Sequence, residues 1–397
     1  MPSPALARFV LLSLASIALS TLSGAIAGAA DNAKDSEKML VFVGTYTSGP
    51  DEGVFTCELD TTTGALKKLS ASGNVKGASF VALHPNHKFL YAVSEVADYK
   101  DSNSGAVASF ALDPTNGKLT PLNHQSSTSA GPCHLVVDRQ GKNVLVANYG
   151  GGTAAALPIQ ADGKLAPASS TVRHTGSSVD KSRQEGPHPH SINLDAANRF
   201  AFVADLGTDK VMVYRFDPAK GTLTPNDPPA VDLPPGSGPR HFAFHPSGNF
   251  AYVINELAST ITPFTYDGER GVLKTLSPKA TVSTLPPEFK GENTTAEVRV
   301  HPSGKFVYGS NRGHDSIAIF AVDPATGGLS PVGHQATGGK TPRNFNIDPD
   351  GRFLLAANQD SNTITVFRID PNTGKLEPTP HSIDIPKPVC IRFLKKG

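Results

Sequence analysis

Short apolar segments alternate with turn-forming residues along most of the chain, in units of roughly fifty residues. Each unit opens with a turn of the form apolar–Asp/His–Pro–x–Gly, and a segment rich in aromatic and β-branched residues follows it. Proline presets the first turn position and glycine or asparagine permits positive φ later, so the pattern predicts a turn between two strands. Clear copies begin at His84, His245, His301 and Asp348, with looser copies at Asp138 and Asp195.

The second half of each unit is a strand that ends in Asp-Pro-x-x-Gly-x-Leu, which is again a turn between strands. Each unit therefore supplies four predicted strands, A and B around the first turn and C and D around the second. Copies of this second half span residues 110–119, 216–223, 320–329 and 367–376, with a first copy near 59–66.

Seven B strands and seven A strands can be counted, and they predict an all-β, seven-bladed β-propeller over residues 39–397. The chain begins this region with a B strand and ends it with an A strand, at 389–394. The simplest closure makes the C-terminal strand the inner strand of the N-terminal blade, which leaves no long unpaired sheet edge. A flat solenoid or two sandwiches would not explain these complementary ends. The B strands begin near residues 39, 89, 143, 199, 250, 306 and 353.

The N-terminal residues have the features of a secretory signal. Arg8 supplies a positive charge, residues 9–17 are apolar, and Ala27-Gly28-Ala29 fits a cleavage site. We expect residues 1–29 to be a signal peptide and residues 30–38 a polar leader, and hence a periplasmic or secreted protein. An uncleaved membrane anchor is the alternative, although serines interrupt the apolar run, and no later segment could span a bilayer.

Composition narrows the possible partners. The chain has 36 basic and 35 acidic residues, a balance that disfavours binding to nucleic acid or to a charged membrane surface. The chain has three cysteines, an odd number that leaves at least one free thiol. All three lie in predicted strands, so we interpret them as buried apolar side chains and expect no structural disulfide. We expect a monomer that binds a small molecule, with no nucleic acid partner and no stable membrane span after signal cleavage.

The strand order assigns the loops to two faces of the ring. The A–B and C–D turns share one rim, so the pre-proline histidines His84, His245 and His301 are interpreted as structural. The opposite face collects charged, amide and imidazole groups around one end of the channel. The A strands enter there at 131–134, 186–190, 238–241 and 341–344, and the B strands end there at 94–95, 148–149, 205–206, 255–256, 311–312 and 358–359.

Arg240, Glu256 and Arg312 come from neighbouring blades at this end. An acid among arginines could bind an anionic substrate and assist proton transfer, because guanidinium matches carboxylate and phosphate geometry. The alternative is a purely structural Glu256–Arg240 pair.

His188 and His190 lie two residues apart, a spacing that would also suit a metal with His241 or His314 as third ligand. No acidic cluster accompanies these histidines, and we expect neither a metal nor a cofactor. The asparagines that recur at the ends of the B strands are interpreted mainly as turn caps.

Three motifs resemble the propeller lactonase family, which includes bacterial 6-phosphogluconolactonases and fungal carboxymuconate lactonizing enzymes. They are Gly-Pro-Arg-His-Phe-x-Phe-His-Pro at 238–246, Asn-Glu-Leu at 255–257 and Thr-Pro-Arg-Asn-Phe-Asn-Ile-Asp at 341–348. The resemblance covers about residues 39–394. It implies an active site of one histidine, two arginines and one glutamate, which by motif are His190 (or His188), Arg240, Glu256 and Arg312, with Arg299 competing for the last position.

The resemblance therefore implies a metal-independent lactonase that acts on an anionic or sugar-derived lactone. Glu256 or His190 would be the general base, and the arginines would hold the anionic group and the oxyanion. The substrate would also contact His188, His241, Arg343 and Asn255. Because the chain carries an export signal, the lactone would be one that occurs outside the cytoplasm. A non-catalytic propeller that binds protein or glycan, or a muconate-type cycloisomerase, are the alternative functions.

Overall fold

Antiparallel strands build a closed ring in a computed structural model, which describes residues 38–396 except 48, 50–52, 74 and 278. These residues form seven sheets, each with four strands along its main path, and we number the sheets as blades 1 to 7. The predicted signal peptide at 1–29 and most of the predicted leader lie outside the described residues. Blade 1 contains β1 (Lys38–Thr45), β2 (Val54–Asp60), β3 (Leu66–Ser72) and β29 (Pro388–Lys395).

The other six blades use consecutive strands, and each begins with its innermost strand. Blade 2 contains β4 (Val81–Leu83), β5 (Phe89–Ser94), β6 (Ala106–Leu112) and β7 (Leu119–Ser126), and blade 3 contains β8 (Pro132–Val137), β9 (Asn143–Asn148), β10 (Thr153–Pro158) and β11 (Ser170–Arg173). Blade 4 contains β12 (Pro189–Leu194), β13 (Phe200–Asp205), β14 (Lys210–Asp217) and β15 (Thr222–Asp232). Blade 5 contains β16 (Pro239–Phe244), β17 (Phe250–Asn255), β18 (Thr260–Asp267), β19 (Val272–Thr275) and the short β20 (Val282–Ser283). Blade 6 contains β21 (Thr295–Val300), β22 (Phe306–Asn311), β23 (Ser316–Val322) and β24 (Leu329–Ala336), and blade 7 contains β25 (Pro342–Ile347), β26 (Phe353–Asn358), β27 (Thr363–Ile369) and β28 (Leu376–Asp384).

The ring closes as the sequence predicts. Strand β29 pairs with β1 from Met39 opposite Lys395 to Thr45 opposite Pro388. The inner strands also contact one another around the ring, and β29 touches both β25 and β4. The prediction of an all-β seven-bladed propeller, closed by the C-terminal strand inside the N-terminal blade, is confirmed.

The B strands are almost entirely buried because blades pack against both of their faces. The patterns of β9, β13, β17, β22 and β26 contain only buried residues, whereas outer strands such as β3 are mostly exposed. This difference explains why the B strands are continuous apolar runs and the outer strands are polar. The apolar side chains between blades form the core.

The histidines of the A–B turns join neighbouring blades. The Nε2 atom of His84 lies 2.9 Å from the carbonyl oxygen of Gly141, in the corresponding turn of the next blade. His245 and His301 make the same contact with the following blades, at 2.8 and 2.9 Å. Their structural interpretation is confirmed.

The described residues include one short 3₁₀ turn, Tyr99–Asp101, and contain no helix that is long and apolar enough to cross a membrane. Cys57, Cys133 and Cys390 are all buried and carry free thiols.

Gly64 marks the contact between the last blade and the first. It lies in a C–D turn with φ of 84°, and a Cβ atom there would stand 2.8 Å from the ring of Phe353 in blade 7. Equivalent glycines lie against Phe89, Phe200, Phe250 and Phe306 of the preceding blades. A side chain at Gly64 would therefore push apart the two blades that close the ring.

We predict that Gly64→Ala destabilises the protein more than Gly248→Ala does. Both glycines have positive φ, which costs a residue with a Cβ about 1–2 kcal/mol, but Gly248 has open space around its missing Cβ. The additional loss at Gly64 should be about 1–3 kcal/mol, because the site is overpacked. Urea unfolding of the two variants measures the difference, and equal midpoints would show that this contact does not hold the closure.

Candidate functional site

The residue that follows each B strand occupies the same place in every blade, and we call these the exit residues. The backbone N–H of each exit residue donates to a carbonyl just before strand A of its own blade, over 2.7–3.1 Å. This bond fixes the backbone of the exit residue at the same end of each blade. The exit residues are Tyr46, Glu95, Tyr149, Leu206, Glu256, Arg312 and Gln359.

A β-bulge recurs near the start of the inner strands and supplies a second set of side chains. In blade 5, Pro239 pairs with Asn255 and His241 with Ile254, so Arg240 is an extra residue in the strand. Such bulges commonly redirect a side chain. Six of the blades contain this irregularity. The extra residues are Cys133, His190, Arg240, Ala296, Arg343 and Val389.

Four exit residues and three bulge residues line a cleft of about 290 Å³ at this end of the ring, together with Arg183 and Thr294. A smaller cavity of about 10 Å³ adjoins the cleft and shares Cys133, His190 and Arg343 with it. The cleft is lined by Glu95, Cys133, Tyr149, Arg183, His190, Glu256, Thr294, Arg312 and Arg343. The small cavity also contacts Tyr46, Ser79, Phe80, Arg240, His241 and Val389.

Glu256 is buried, and three arginines contact its carboxylate. Arg240 Nε lies 2.8 Å and Arg312 Nη2 lies 3.0 Å from Oε2, while Arg183 Nη2 lies 2.7 Å from Oε1. Only 3% of Glu256 is exposed. Arg240 also donates from Nη1 to the carbonyl of Ala296, at 2.7 Å. Both Glu256 oxygens are therefore occupied by guanidinium groups.

The arginines determine the charge of this cluster. Burial opposes the ionisation of Glu256, but Arg312, Arg240 and Arg183 outweigh it and lower its pKa to about 2. Burial also lowers the pKa of Arg312 to about 10, which leaves it protonated at neutral pH. Together the cleft and the small cavity contain four guanidinium groups (Arg183, Arg240, Arg312 and Arg343) and two carboxylates. At least two positive charges are thus unmatched, which favours an anionic ligand.

His190 is 6% exposed and lies between aromatic and imidazole rings. Its ring centroid is 5.3 Å from that of Tyr149 and 5.5 Å from that of His241, both edge-on. Burial, with Arg240 and His241 nearby, holds the pKa of His190 well below its usual range. Burial therefore favours the uncharged form of the imidazole.

A second buried network lies beside His190. His241 Nδ1 is 3.1 Å from Glu297 Oε1, and Arg299 Nη2 is 3.3 Å from Glu297 Oε2. Burial raises the pKa of Glu297, but Arg299 and His241 outweigh it and the value falls to about 2. Burial lowers the pKa of His241 to about 4, so this contact joins a carboxylate to a neutral imidazole at neutral pH.

The structure brings most of the predicted site residues together. His190, Glu256, Arg312 and Arg343 line the cleft, and Arg240 and His241 line the adjoining cavity. Of the two candidates for the second arginine, Arg312 contacts Glu256, whereas Arg299 contacts Glu297 and lines a separate pocket of about 420 Å³.

Two predicted substrate contacts lie outside the cleft lining. His188 is held by the carbonyl of Tyr149 at 3.1 Å and by Glu185 at 3.0 Å, and its ring stacks on Tyr149. The amide of Asn255 donates to the hydroxyls of Thr260 and Thr262, at 2.9 and 3.0 Å, within its own blade.

Arg183 was missed by sequence reasoning. It lies between blades 3 and 4 and outside the repeat, so no recurring pattern marks it, and only the folded loop brings it to Glu256. Glu95 and Tyr149 stand at strand ends that the strand order had assigned to this face. Their contribution to the cleft could have been found by aligning the exit residues of all seven blades.

The described residues contain no group of three or more His, Cys, Asp or Glu side chains placed to hold a metal ion. His314, a possible third ligand, instead contacts Ser316 at 2.7 Å and packs edge-on against Phe289 and His334.

Comparison with known proteins agrees with this architecture. Residues 40–393 match the family described as Lactonase, 7-bladed beta-propeller. A 6-phosphogluconolactonase of Bacillus subtilis is 36% identical over 357 residues, which cover 90% of this chain and 99% of the relative. One from Formosa agariphila is 35% identical over 309 residues, covering 77% and 85%. The solved structure of a periplasmic gluconolactonase from Pseudomonas aeruginosa is 33% identical with a TM-score of 0.83, covering 91% of this chain and 100% of that one.

We predict that the free energy of unfolding decreases as the pH falls from about 7 to about 4. Burial holds the pKa values of His134, His190 and His241 below the ordinary value of 6.5. The unfolded chain therefore binds more protons than the folded protein in this range, which favours unfolding. Urea unfolding across the range measures the slope.

The variant His134→Gln should have a shallower slope, by up to about 1.4 kcal/mol per pH unit for the one proton removed. The matched control is His87→Asn, since His87 is exposed and asparagine tolerates its φ of 61°. Equal slopes for His134→Gln and the unmodified protein would contradict this explanation.

Proposed function

The chain belongs to the lactonase family of seven-bladed β-propellers, and on this basis we propose that it hydrolyses an anionic or sugar-derived lactone outside the cytoplasm. The observation that carries the proposal is the open cleft. Three arginines contact the carboxylate of Glu256 there, and the arginines outnumber the carboxyl groups. In a non-catalytic propeller we would expect Arg240 and Glu256 to neutralise each other and leave no cavity. The names of the Bacillus and Formosa relatives support a lactone as the substrate class.

The arginines could stabilise two negative charges in the hydrolysis of an anionic lactone, the oxyanion that forms during the reaction and the anionic group of the substrate. Attack of water on the ring carbonyl places negative charge on its oxygen, and guanidinium groups already held in position stabilise such charge without reorganisation. In this proposal Arg312 and Arg240 stabilise the oxyanion. Arg183, with 38% of its side chain exposed, and Arg343 bind the anionic part of the substrate.

His190 is the better of the two candidate bases for activating the water. Arginine nitrogens already contact both oxygens of Glu256, so the carboxylate has no free oxygen to take a proton from the water. His190 lines the same cleft and is neutral at neutral pH. A positioned base of this kind contributes a factor of about 10²–10⁴ to the rate. Glu256 would then act by positioning the arginines.

We expect purified protein to release acid from lactones such as D-glucono-1,5-lactone or its 6-phosphate, measured against spontaneous hydrolysis. His190→Ala should lower kcat/KM by a factor of about 100 or more, because the water loses its base. Glu256→Gln should lower kcat/KM and raise KM, because the arginines lose the charge that positions them. Glu377→Gln is the control, since Glu377 is exposed on the outer strand β28.

Three results would contradict parts of this proposal. Full activity of both His190→Ala and Glu256→Gln would remove the assigned roles. Failure to release acid from any sugar lactone or muconolactone would remove the hydrolase assignment. Lactone formation from a carboxymuconate, without consumption of water, would identify a cycloisomerase instead.

We propose that the protein is exported from the cytoplasm and that its signal peptide is cleaved after Ala29. The apolar N-terminal pattern and the periplasmic location in the name of the Pseudomonas relative support it. In a Gram-negative host the full chain should appear in the periplasmic fraction with a mature N-terminus at Ala30. A chain without residues 1–29 should stay in the cytoplasm, and full-length protein in the membrane fraction would indicate an uncleaved anchor instead.

A further inference from the structure

The cleft contains a second carboxylate, Glu95, whose surroundings differ from those of Glu256. Tyr46 Oη donates to Glu95 Oε1 at 3.1 Å, and Ser79 Oγ donates to Oε2. Both donors are uncharged hydroxyl groups. No ion pair joins Glu95 to an arginine or lysine in the described part of the chain, whereas Glu256 contacts three arginines.

The backbone and the neighbouring blades fix Glu95 at the cleft wall. Its N–H donates to the carbonyl of Gly77 at 2.9 Å, the contact that all exit residues make. Arg343 Nη2 donates to Tyr46 Oη at 3.0 Å and lies over the Tyr46 ring, 5.1 Å from its centroid. Because that hydroxyl accepts from Arg343, its own proton is directed to Glu95. Tyr46, Ser79 and Arg343 therefore position Glu95.

We propose that Glu95 is the general acid of the lactone hydrolysis and protonates the ring oxygen as the ring opens. This inference rests on the proposed function. Two carboxyl groups in one cleft, one anchored by arginines and the other by hydroxyls, are suited to different tasks. The first remains an anion, and the second can hold a proton and release it.

The direction of the pKa shifts agrees with this division. Burial raises the pKa of Glu95, and Ser79, Arg343, Tyr46 and Arg240 offset this only in part. Cys133 also faces this group, and burial keeps its thiol protonated by raising its pKa. Glu256, by contrast, has a pKa of about 2. Of the two carboxyl groups in the cleft, Glu95 is therefore the one with the higher affinity for a proton.

The proton balance closes with His190 as the base and Glu95 as the acid. Water adds to the carbonyl carbon and gives one proton to His190. This addition forms the tetrahedral intermediate. The bond between that carbon and the ring oxygen then breaks, and the ring oxygen takes the proton of Glu95 to become a hydroxyl group. His190 then passes the proton that it took from water to Glu95. The carboxylic acid of the product releases one proton to solvent.

The test compares two substrates with different leaving groups. D-Glucono-1,5-lactone expels an alkoxide, which needs a proton, whereas dihydrocoumarin expels a phenoxide, which leaves without one. Glu95→Gln should lower kcat for the sugar lactone by a factor of about 100 or more, with a much smaller loss for dihydrocoumarin. Glu95→Asp should retain part of the rate, and Glu377→Gln is the control for the same chemical change.

The pH profile provides a second readout that needs only the sugar lactone. The kcat of the unmodified protein should fall on the alkaline side as Glu95 loses its proton, and the residual rate of Glu95→Gln should lack this fall. An active protein whose Glu95→Gln variant keeps its rate, or keeps the alkaline fall, would overturn the inference alone. A protein inactive on every lactone would overturn the proposed function, and this inference with it. Thermal unfolding of each variant verifies that it is folded.

Discussion

The pairing of β29 with β1 is the constraint on which the rest of the structure depends. It joins the two ends of the repeat region into one sheet, so that every blade has a neighbour on both sides. Only in a closed ring can the B strands of all blades be buried on both faces. The same closure brings Arg343 of blade 7 to the hydroxyl group of Tyr46, which directly follows β1. That hydroxyl group in turn donates to Glu95.

Repetition of backbone geometry creates the site, while variation of side chains gives it chemical character. Every blade directs an exit residue and nearly every blade directs a bulge residue towards the channel end, through the same hydrogen bond and the same extra residue. One fold can in this way present many different constellations. In this chain the bulge and the exit of blade 5 supply Arg240 and Glu256, which lie 2.8 Å apart.

Burial shifts the pKa values of these groups. A carboxylate in a buried position is costly unless it is paired, and three arginines provide that pairing for Glu256. Glu95 has hydroxyl partners instead, so the same burial favours its neutral form. The histidines nearby remain neutral for the same reason. Burial and pairing thus give neighbouring groups in one cleft different affinities for protons.

The amino-acid sequence by itself determined the seven blades and their closure, and it predicted the face of the candidate site, because turns and hydrophobic alternation are local properties that repeat along the chain. It also indicated Arg240, Glu256, Arg312 and His190, since strand order places strand ends on one rim. Arg183 and the different surroundings of Glu95 and Glu256 were decided only by the tertiary structure. The same is true of the pairing of Arg299 with Glu297. These features depend on distances between residues far apart in the chain, and on burial, neither of which is encoded in a local pattern.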